Sequence, residues 1–554
     1  MDNQNSSNDN LIDSFDLGKN QASVSFNGHF NPGNEAFKMI LNSGYVDKTG
    51  LISIINNTIG TTYSLTCISR PRRFGKSYAA QMLSAYYDCS CDSRSIFDGL
   101  TVSKDKSYEA HINQYNVLYL DITSFISARK SKNKDLTNIT LDIISTIKNE
   151  IALKFPQIKE ITKLSDCLMR VKDITGRKFV FIIDEWDAVV REASDRPDIQ
   201  DAYFNLLREL FKNGNFTPYV IAAAYMTGIL PIKKDGTESA ISDFNEYTIL
   251  NPGVFAQYSG FTEKEVESLC ENSNVDYSTM KAWYDGYVFD DEISIYNPYS
   301  VMKAIQMRRF ESYWQKTSAV EGLTTYINMN YDGLQDDILR LIAGEHLEVD
   351  VDGFGNDVKN FRNKDDVITL LIHLGYLAYD ADDKTVRIPN KEVRSEFNML
   401  IKNSNMNKLK ELVDNSNKLL EATIAGDETA VADRIEAIRK SDYAPNFYND
   451  EQALRYVIKF AYIACVDKYK DIQELPSGKG IADVVFIPKK TTMDPAIIVE
   501  LKWNKSSEAA LKQIKDKDYP DVLRDFVGEA VLVGINYDEK TKQHSCKIER
   551  LALT

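Results

Sequence analysis

The amino-acid sequence predicts an α/β fold: a parallel sheet, then a mainly helical region, then a second, smaller α/β unit. Three observations predict it. Strand-like apolar runs at 63–68, 117–122, 179–183 and 219–226 alternate with segments of helical periodicity, 136–155 and 201–211 among them, and such alternation marks a parallel sheet. Beyond about Asn251 the pattern turns mainly helical, with aromatic residues clustered at Trp283, Tyr284, Tyr287, Tyr313 and Trp314. The C-terminal stretch reads as a helix (451–469), two strands (481–487, 496–501), a helix (506–517) and a further strand (529–535).

A chain of 554 residues is too long for one core. The expected divisions are a flexible tail (1–30), the parallel-sheet domain (31–255), a helical lid or winged-helix-like region (256–400), a helical connector (401–445) and the small α/β domain (446–554). Hydrophobic residues make up 43% of the chain, enough for packed cores. No run approaches a membrane span, and the apolar stretch 219–230 is bracketed by Pro218 and Pro231. The Asn- and Ser-rich start has no signal-peptide pattern, and the seven cysteines are scattered and odd in number. A cytoplasmic protein with reduced thiols and no membrane partner is expected. The net charge of −15 excludes a chain that coats nucleic acid with its general field, so any such contact must be a local site.

After the strand at 63–68 comes Ser69-Arg-Pro-Arg72-Arg73-Phe74-Gly75-Lys76-Ser77, then a helical run. A phosphate loop needs backbone N–H groups around the anion, a lysine on the outer phosphates and a hydroxyl for magnesium. Gly75, Lys76 and Ser77 meet these needs, with Arg72, Arg73 and Phe74 completing the loop. The first glycine of the GxxxxGK[ST] pattern is replaced by Arg70. Downstream, Phe179-Val-Phe-Ile-Ile-Asp184-Glu185 delivers Asp184 to hold magnesium and Glu185 to polarise an attacking water. Thr227, at the end of the fourth strand, is a candidate sensor of the γ-phosphate. These residues predict a P-loop NTPase sheet that binds ATP and Mg²⁺.

A second cluster lies in Gly480-Ile-Ala-Asp483-Val-Val-Phe486 and Ile497-Ile-Val-Glu500-Leu501-Lys502. Residues two apart on a strand share a face, so Glu500 and Lys502 point the same way while Val499 and Leu501 enter a core. Asp483, on the neighbouring strand, can approach Glu500, and the two carboxylates with the Leu501 carbonyl suit Mg²⁺. Lys502 would orient the attacking water and offset phosphate charge. Gln513 and Lys512, on the following helix, are candidates to brace the site and touch a nucleic-acid backbone. Glu451 is a possible outer carboxylate, although an acid at a helix start is the better account of it.

These motifs resemble a known family. Gly44-Tyr-Val-Asp47-Lys48-Thr49, the loop Arg70–Ser77 and Ile182-Ile-Asp184-Glu185-Trp-Asp187 are similar to AAA-ATPase-like proteins, as are Trp283-Tyr-Asp-Gly286-Tyr, Tyr296-Asn-Pro298-Tyr-Ser300 and Tyr313-Trp314 in the helical region. Asp483, Glu500-Leu-Lys502 and Gln513 resemble the PD-(D/E)XK, restriction-endonuclease-like domain that ends such chains. The resemblance implies Lys76 and Ser77 on ATP and Mg²⁺, Asp184 and Glu185 as the Walker B pair, and Asp483, Glu500 and Lys502 as the nuclease centre. Trp186 stands where the family has Tyr, and Ile481 where it often has Arg.

The expected function is an ATPase coupled to a Mg²⁺-dependent nuclease that cuts DNA (RNA being the alternative substrate) under nucleotide control. The rival is a nucleotide-dependent switch or scaffold whose C-terminal domain binds nucleic acid or a protein partner without cutting; homo-oligomers fit either. The Trp283–Tyr287 aromatics read as core rather than as a base-stacking platform, and Asp47-Lys48-Thr49 as a helix cap.

Overall fold

The computed structural model of the protein describes residues 28–232, 241–289, 293–314, 327, 331–342, 344–354, 361–403, 407–440, 454, 457–458, 461–462, 469–477, 480–488, 494–516 and 528–553, with the side chains of 401–413 and 470–483 outside the description. Strands β1 (Leu65–Ser69), β2 (Asn116–Asp121), β3 (Phe179–Asp184), β4 (Ile221–Gly228) and β5 (Asn245–Tyr247) form one sheet in the order β2-β3-β4-β1-β5, every pairing parallel. Every residue of β1, β3 and β4 is buried. A strand covered on both faces has no polar side to show, which is why these runs are continuously apolar. The run at 219–230 departs from its expected start: Phe216–Val220 is a short helix, and the strand begins at Ile221.

Helices α1 (Glu35–Leu41), α2 (Gly50–Thr58) and α3 (Lys76–Tyr87) cover one face of this sheet. The other face is covered by α4 (Ile139–Lys154), α5 (Leu164–Thr175) and α7 (Pro197–Phe211), with the short α6 (Ala188–Glu192) before α7. In α4 the buried residues are Ile139, Ile143, Ile147 and Ile151, a stripe spaced one turn apart.

The following segment holds helices α8 (Glu263–Ser273), α9 (Tyr277–Tyr284), α10 (Pro298–Met307), α11 (Leu334–Ile342), α12 (Lys364–Leu374) and α13 (Lys391–Asn403). Two small sheets stand among them, in a region expected to be mainly helical. One joins β6 (Phe261–Thr262), β7 (Tyr287–Phe289) and β8 (Ile293–Tyr296); the other joins β9 (Leu347–Glu348), β10 (Ala378–Asp380) and β11 (Thr385–Arg387). Strands of two to four residues are too short to leave a period in the sequence.

Helices α14 (Asn407–Ala425) and α15 (Glu428–Arg439) lead to a five-stranded mixed sheet of β12 (Tyr469–Ser477), β13 (Gly480–Pro488), β14 (Ala496–Trp503), β15 (Gly528–Asp538) and β16 (Gln543–Leu553), in that spatial order. Val431, Ile435 and Ile438 of α15 share one core with Val499, Leu501 and Val533 of the sheet. Only β14 and β15 run parallel, and α16 (Ser507–Asp516) is part of the crossover that such a pair requires. Among the described residues no helix is long and apolar enough to cross a membrane, and the six described cysteines are unpaired.

Candidate functional site

The parallel sheet delivers its polar residues to one end. β1 finishes at Ser69, the chain crosses 70–75, and α3 starts at Lys76 behind Gly75, whose φ of 84° favours glycine. Arg73 also has a positive φ, 70°. Lys76 is buried; its Nζ donates to the Arg70 carbonyl at 3.0 Å and the Pro71 carbonyl at 2.9 Å, and lies 3.9 Å from Glu185 Oε1. Burial pulls the Lys76 ammonium below its usual pKa, against the opposing effect of Glu185.

β4 lies between β1 and β3, so Thr227 stands between the loop and Asp184. The Thr227 hydroxyl donates to Asp184 Oδ1 at 2.5 Å, and the Glu185 N–H donates to that hydroxyl at 3.3 Å. Glu185 turns off the strand with φ 55°, a conformation that costs a non-glycine residue about 1 kcal/mol. Burial raises its carboxyl pKa, and Lys76 opposes that rise.

A cavity of about 690 Å³ opens over these groups. Arg72, Arg73, Phe74, Gly75, Lys76, Ser77, Asp184 and Glu185 all line it, as do Lys130 and Arg191. Thr227, fully buried, supports Asp184 from behind. Ser77 and Asp184 supply hard oxygen donors on the same cavity, a set that fits Mg²⁺ with its waters. Arg70 is not among the lining residues: it is buried, with Nη1 donating to the Ser69 and Tyr247 carbonyls and the guanidinium 5.5 Å from the Phe289 ring.

Sequence reasoning missed Arg191. Its Nη2 meets Glu185 Oε2 at 2.5 Å, and its Nε meets Asp187 Oδ2 at 3.0 Å. Asp187 is itself fixed by the Ile229 and Leu230 N–H groups. The available signal was the four-residue step from Asp187 to Arg191, one helical turn beyond the acidic motif. Asp47 does not cap α2 as expected: it accepts from the N–H and hydroxyl groups of Thr49, ahead of the helix, and of Thr101, and so ties the two segments together.

In the C-terminal sheet, strand alternation turns Glu500 and Lys502 to the α16 face, while Val499 and Leu501 enter the opposite core. Glu500 is 2% and Lys502 6% exposed. Lys502 Nζ lies 3.2 Å from Glu500 Oε1 and donates to the Leu501 carbonyl at 2.7 Å. The ammonium thus lies between these two oxygens. Gln513 Nε2 donates to Glu500 Oε1, whereas Lys512 is exposed to solvent. The approach of α16 depends on Gly534, the register partner of Glu500: a Cβ there would lie 2.4 Å from the Ser507 carbonyl.

Asp483 sits on β13 one residue before Val484, and Val484 pairs with Val499, the residue before Glu500. The Asp483 side chain and Glu451 lie outside the described residues. Among the described residues no group of three or more His, Cys, Asp or Glu is arranged to hold a metal ion.

Residues 32–237 match the family described as Predicted AAA-ATPase, and residues 449–546 match the PD-(D/E)XK nuclease superfamily. The "Uncharacterized protein in vnfD 5'region" of Azotobacter chroococcum mcd 1 is 22% identical over 514 residues, covering 90% of this chain and 93% of that protein. Among solved structures, the Aeropyrum pernix ORC2 protein (ADPNP-ADP complexes) is 12% identical with a TM-score of 0.26, over 68% of this chain and 99% of that one; so slight a likeness carries no weight. The chain therefore joins an N-terminal AAA-ATPase-like domain (32–237) to a C-terminal PD-(D/E)XK nuclease-like domain (449–546).

Proposed function

We propose that the chain binds and hydrolyses ATP at the 70–77 loop and that its C-terminal domain hydrolyses DNA phosphodiester bonds under the control of that nucleotide. The observation that carries the reading is the convergence of Lys76, Ser77, Asp184 and Glu185 on one cavity at the end of a parallel sheet. Left-handed residues at 73 and 75 suit a loop whose N–H groups curl round an anion. Lys76 would leave the Arg70 and Pro71 carbonyls for the outer phosphates. Ser77 and Asp184 would hold magnesium, which when bound supplies neutralising charge to the phosphates. Glu185 would orient the attacking water, with Thr227 fixing Asp184 beside it.

In the C-terminal domain, Asp483, Glu500 and the Leu501 carbonyl would hold Mg²⁺. Lys502 would move from its present place between two of those oxygens towards the scissile phosphate. Gln513 positions the Glu500 carboxylate.

The test is full-length protein with supercoiled plasmid and Mg²⁺, with and without ATP. Nicking that ATP alters in rate, and that is lost in Glu500→Gln and Lys502→Ala while ATP still binds, is the expected result. Cleavage unchanged in both variants would refute the assignment. Absence of cleavage by the unaltered chain would favour a switch that binds without cutting.

A further inference from the structure

Four of the five residues at 70–74 direct their side chains into the segment that follows the parallel sheet. Arg70 lies on Phe289, and Pro71 packs on the backbone of Gly375, where a Cβ would come within 2.8 Å of it. The Arg73 guanidinium sits 4.0 Å over the Tyr299 ring and donates to the Tyr313 carbonyl at 2.8 Å. Phe74, fully buried, meets Tyr287 edge to face at 5.3 Å.

The two pieces that receive Arg73 are held by one carboxylate. Glu392 of α13, 1% exposed, accepts at Oε1 from the Tyr313 N–H at 2.9 Å and from the Ser300 hydroxyl at 2.8 Å. One turn along α13, Glu396 accepts from the Ser312 hydroxyl at 2.5 Å. Apolar residues would pack α13 at lower cost than buried carboxylates. What carboxylates supply instead is a fixed position for the 300–313 backbone, and hence for the carbonyl that Arg73 grips.

We propose that Glu392 is a positioning residue for the 70–75 loop, acting through Tyr313 and Tyr299 on Arg73, so that triphosphate affinity and the state of α13 are linked. The inference rests on reading 70–77 as the phosphate loop. Linkage is reciprocal: if α13 sets the loop, triphosphate in the loop tightens α13. Helix α14 follows α13, and α15 packs on the C-terminal sheet, so the same contacts begin a route between the two domains.

The experiment uses the full chain. A fluorescent ATP analogue with Mg²⁺ is titrated into the unaltered protein, Glu392→Ala and Glu392→Gln, and hydrogen exchange is followed over 297–314 and 391–403 with and without MgATP. Glu392→Ala, which does not touch the cavity, should weaken binding about tenfold. Glu392→Gln keeps an acceptor oxygen and should restore most of it. MgATP should slow exchange in both segments of the unaltered chain and not in Glu392→Ala. If Glu392→Ala does not fold, Tyr299→Leu, which removes the ring under Arg73, should weaken binding similarly. Unaltered affinity in the folded variants, or exchange at 391–403 indifferent to MgATP, would overturn the inference. An unaltered chain that binds no ATP would instead sink the phosphate-loop reading, and the inference with it.

Discussion

Lys76 holds a buried positive charge against two carbonyls of its own loop. An ammonium kept there is costly when nothing anionic occupies the cavity, and its pKa is depressed accordingly. Lys76→Met should therefore keep or raise the melting temperature while losing nucleotide binding by at least ~100-fold, measured by thermal melting and by titration. A structural lysine would behave in the opposite way. Lys76 also lies 3.9 Å from Glu185, but that acid keeps Arg191 when Lys76 is removed, whereas Lys502 neutralises the more deeply buried Glu500. Lys502→Met should cost about 3 kcal/mol in urea unfolding, and added Mg²⁺ should stabilise this variant more than the unaltered chain. At this scale the sequence was legible where the loop and the acidic strand bring their residues to one cavity. Lys76, Asp184 and Glu185 follow from the loop and its acidic strand. Arg191 does not, because its partners Glu185 and Asp187 are recognised only once α6 turns it back onto them.

Elements were legible in proportion to how fully they are buried. β1, β3 and β4 were legible as strands, with ends off by one or two residues, because both faces are covered. β12 and β16, the two edges of the C-terminal sheet, were missed; in β16, Gln543, Ser545, Lys547, Glu549 and Arg550 give no apolar run to read. The contact of α16 with β15 turns on Gly534. Gly534→Ala should destabilise the C-terminal domain by about 2 kcal/mol and lower cleavage by lifting Gln513 from Glu500, both measurable on one preparation. On α13, burial raises the Glu392 pKa to about 7 from 4.5; the Tyr313 and Trp314 N–H groups and the Ser300 hydroxyl oppose this, and neighbouring Glu396 adds to it. Tyr284 and Tyr287 face the same carboxyl, and burial keeps their phenols protonated. A folded pKa above the unfolded one means that the protonated acid favours folding. That contribution is complete below about 4.5 and is lost as the pH rises through about 7. Chemical denaturation at pH 6 and pH 8 should show Glu392→Gln gaining on the unaltered chain at the higher pH, by about 1 kcal/mol.

Across the whole molecule, an AAA-ATPase-like domain and a nuclease-like domain are separated in sequence by about two hundred residues. The loop residues 70, 71, 73 and 74 are embedded in that intervening segment rather than surrounded by solvent. This arrangement gives a physical reason for Arg70 in place of the usual glycine. The position anchors the loop to its neighbours, and in the proposed function phosphate contact would fall to Gly75, Lys76 and Ser77. The motifs alone did not reveal this, because the side chains that receive the loop lie more than two hundred residues downstream. Equilibrium titration of a fluorescent ATP analogue with Mg²⁺ into the full-length protein and Lys76→Met tests the account most directly. Saturable binding by the unaltered chain, competed by ATP and absent from a folded Lys76→Met, is the predicted result. Equal binding by the two proteins, or none by either, would contradict it.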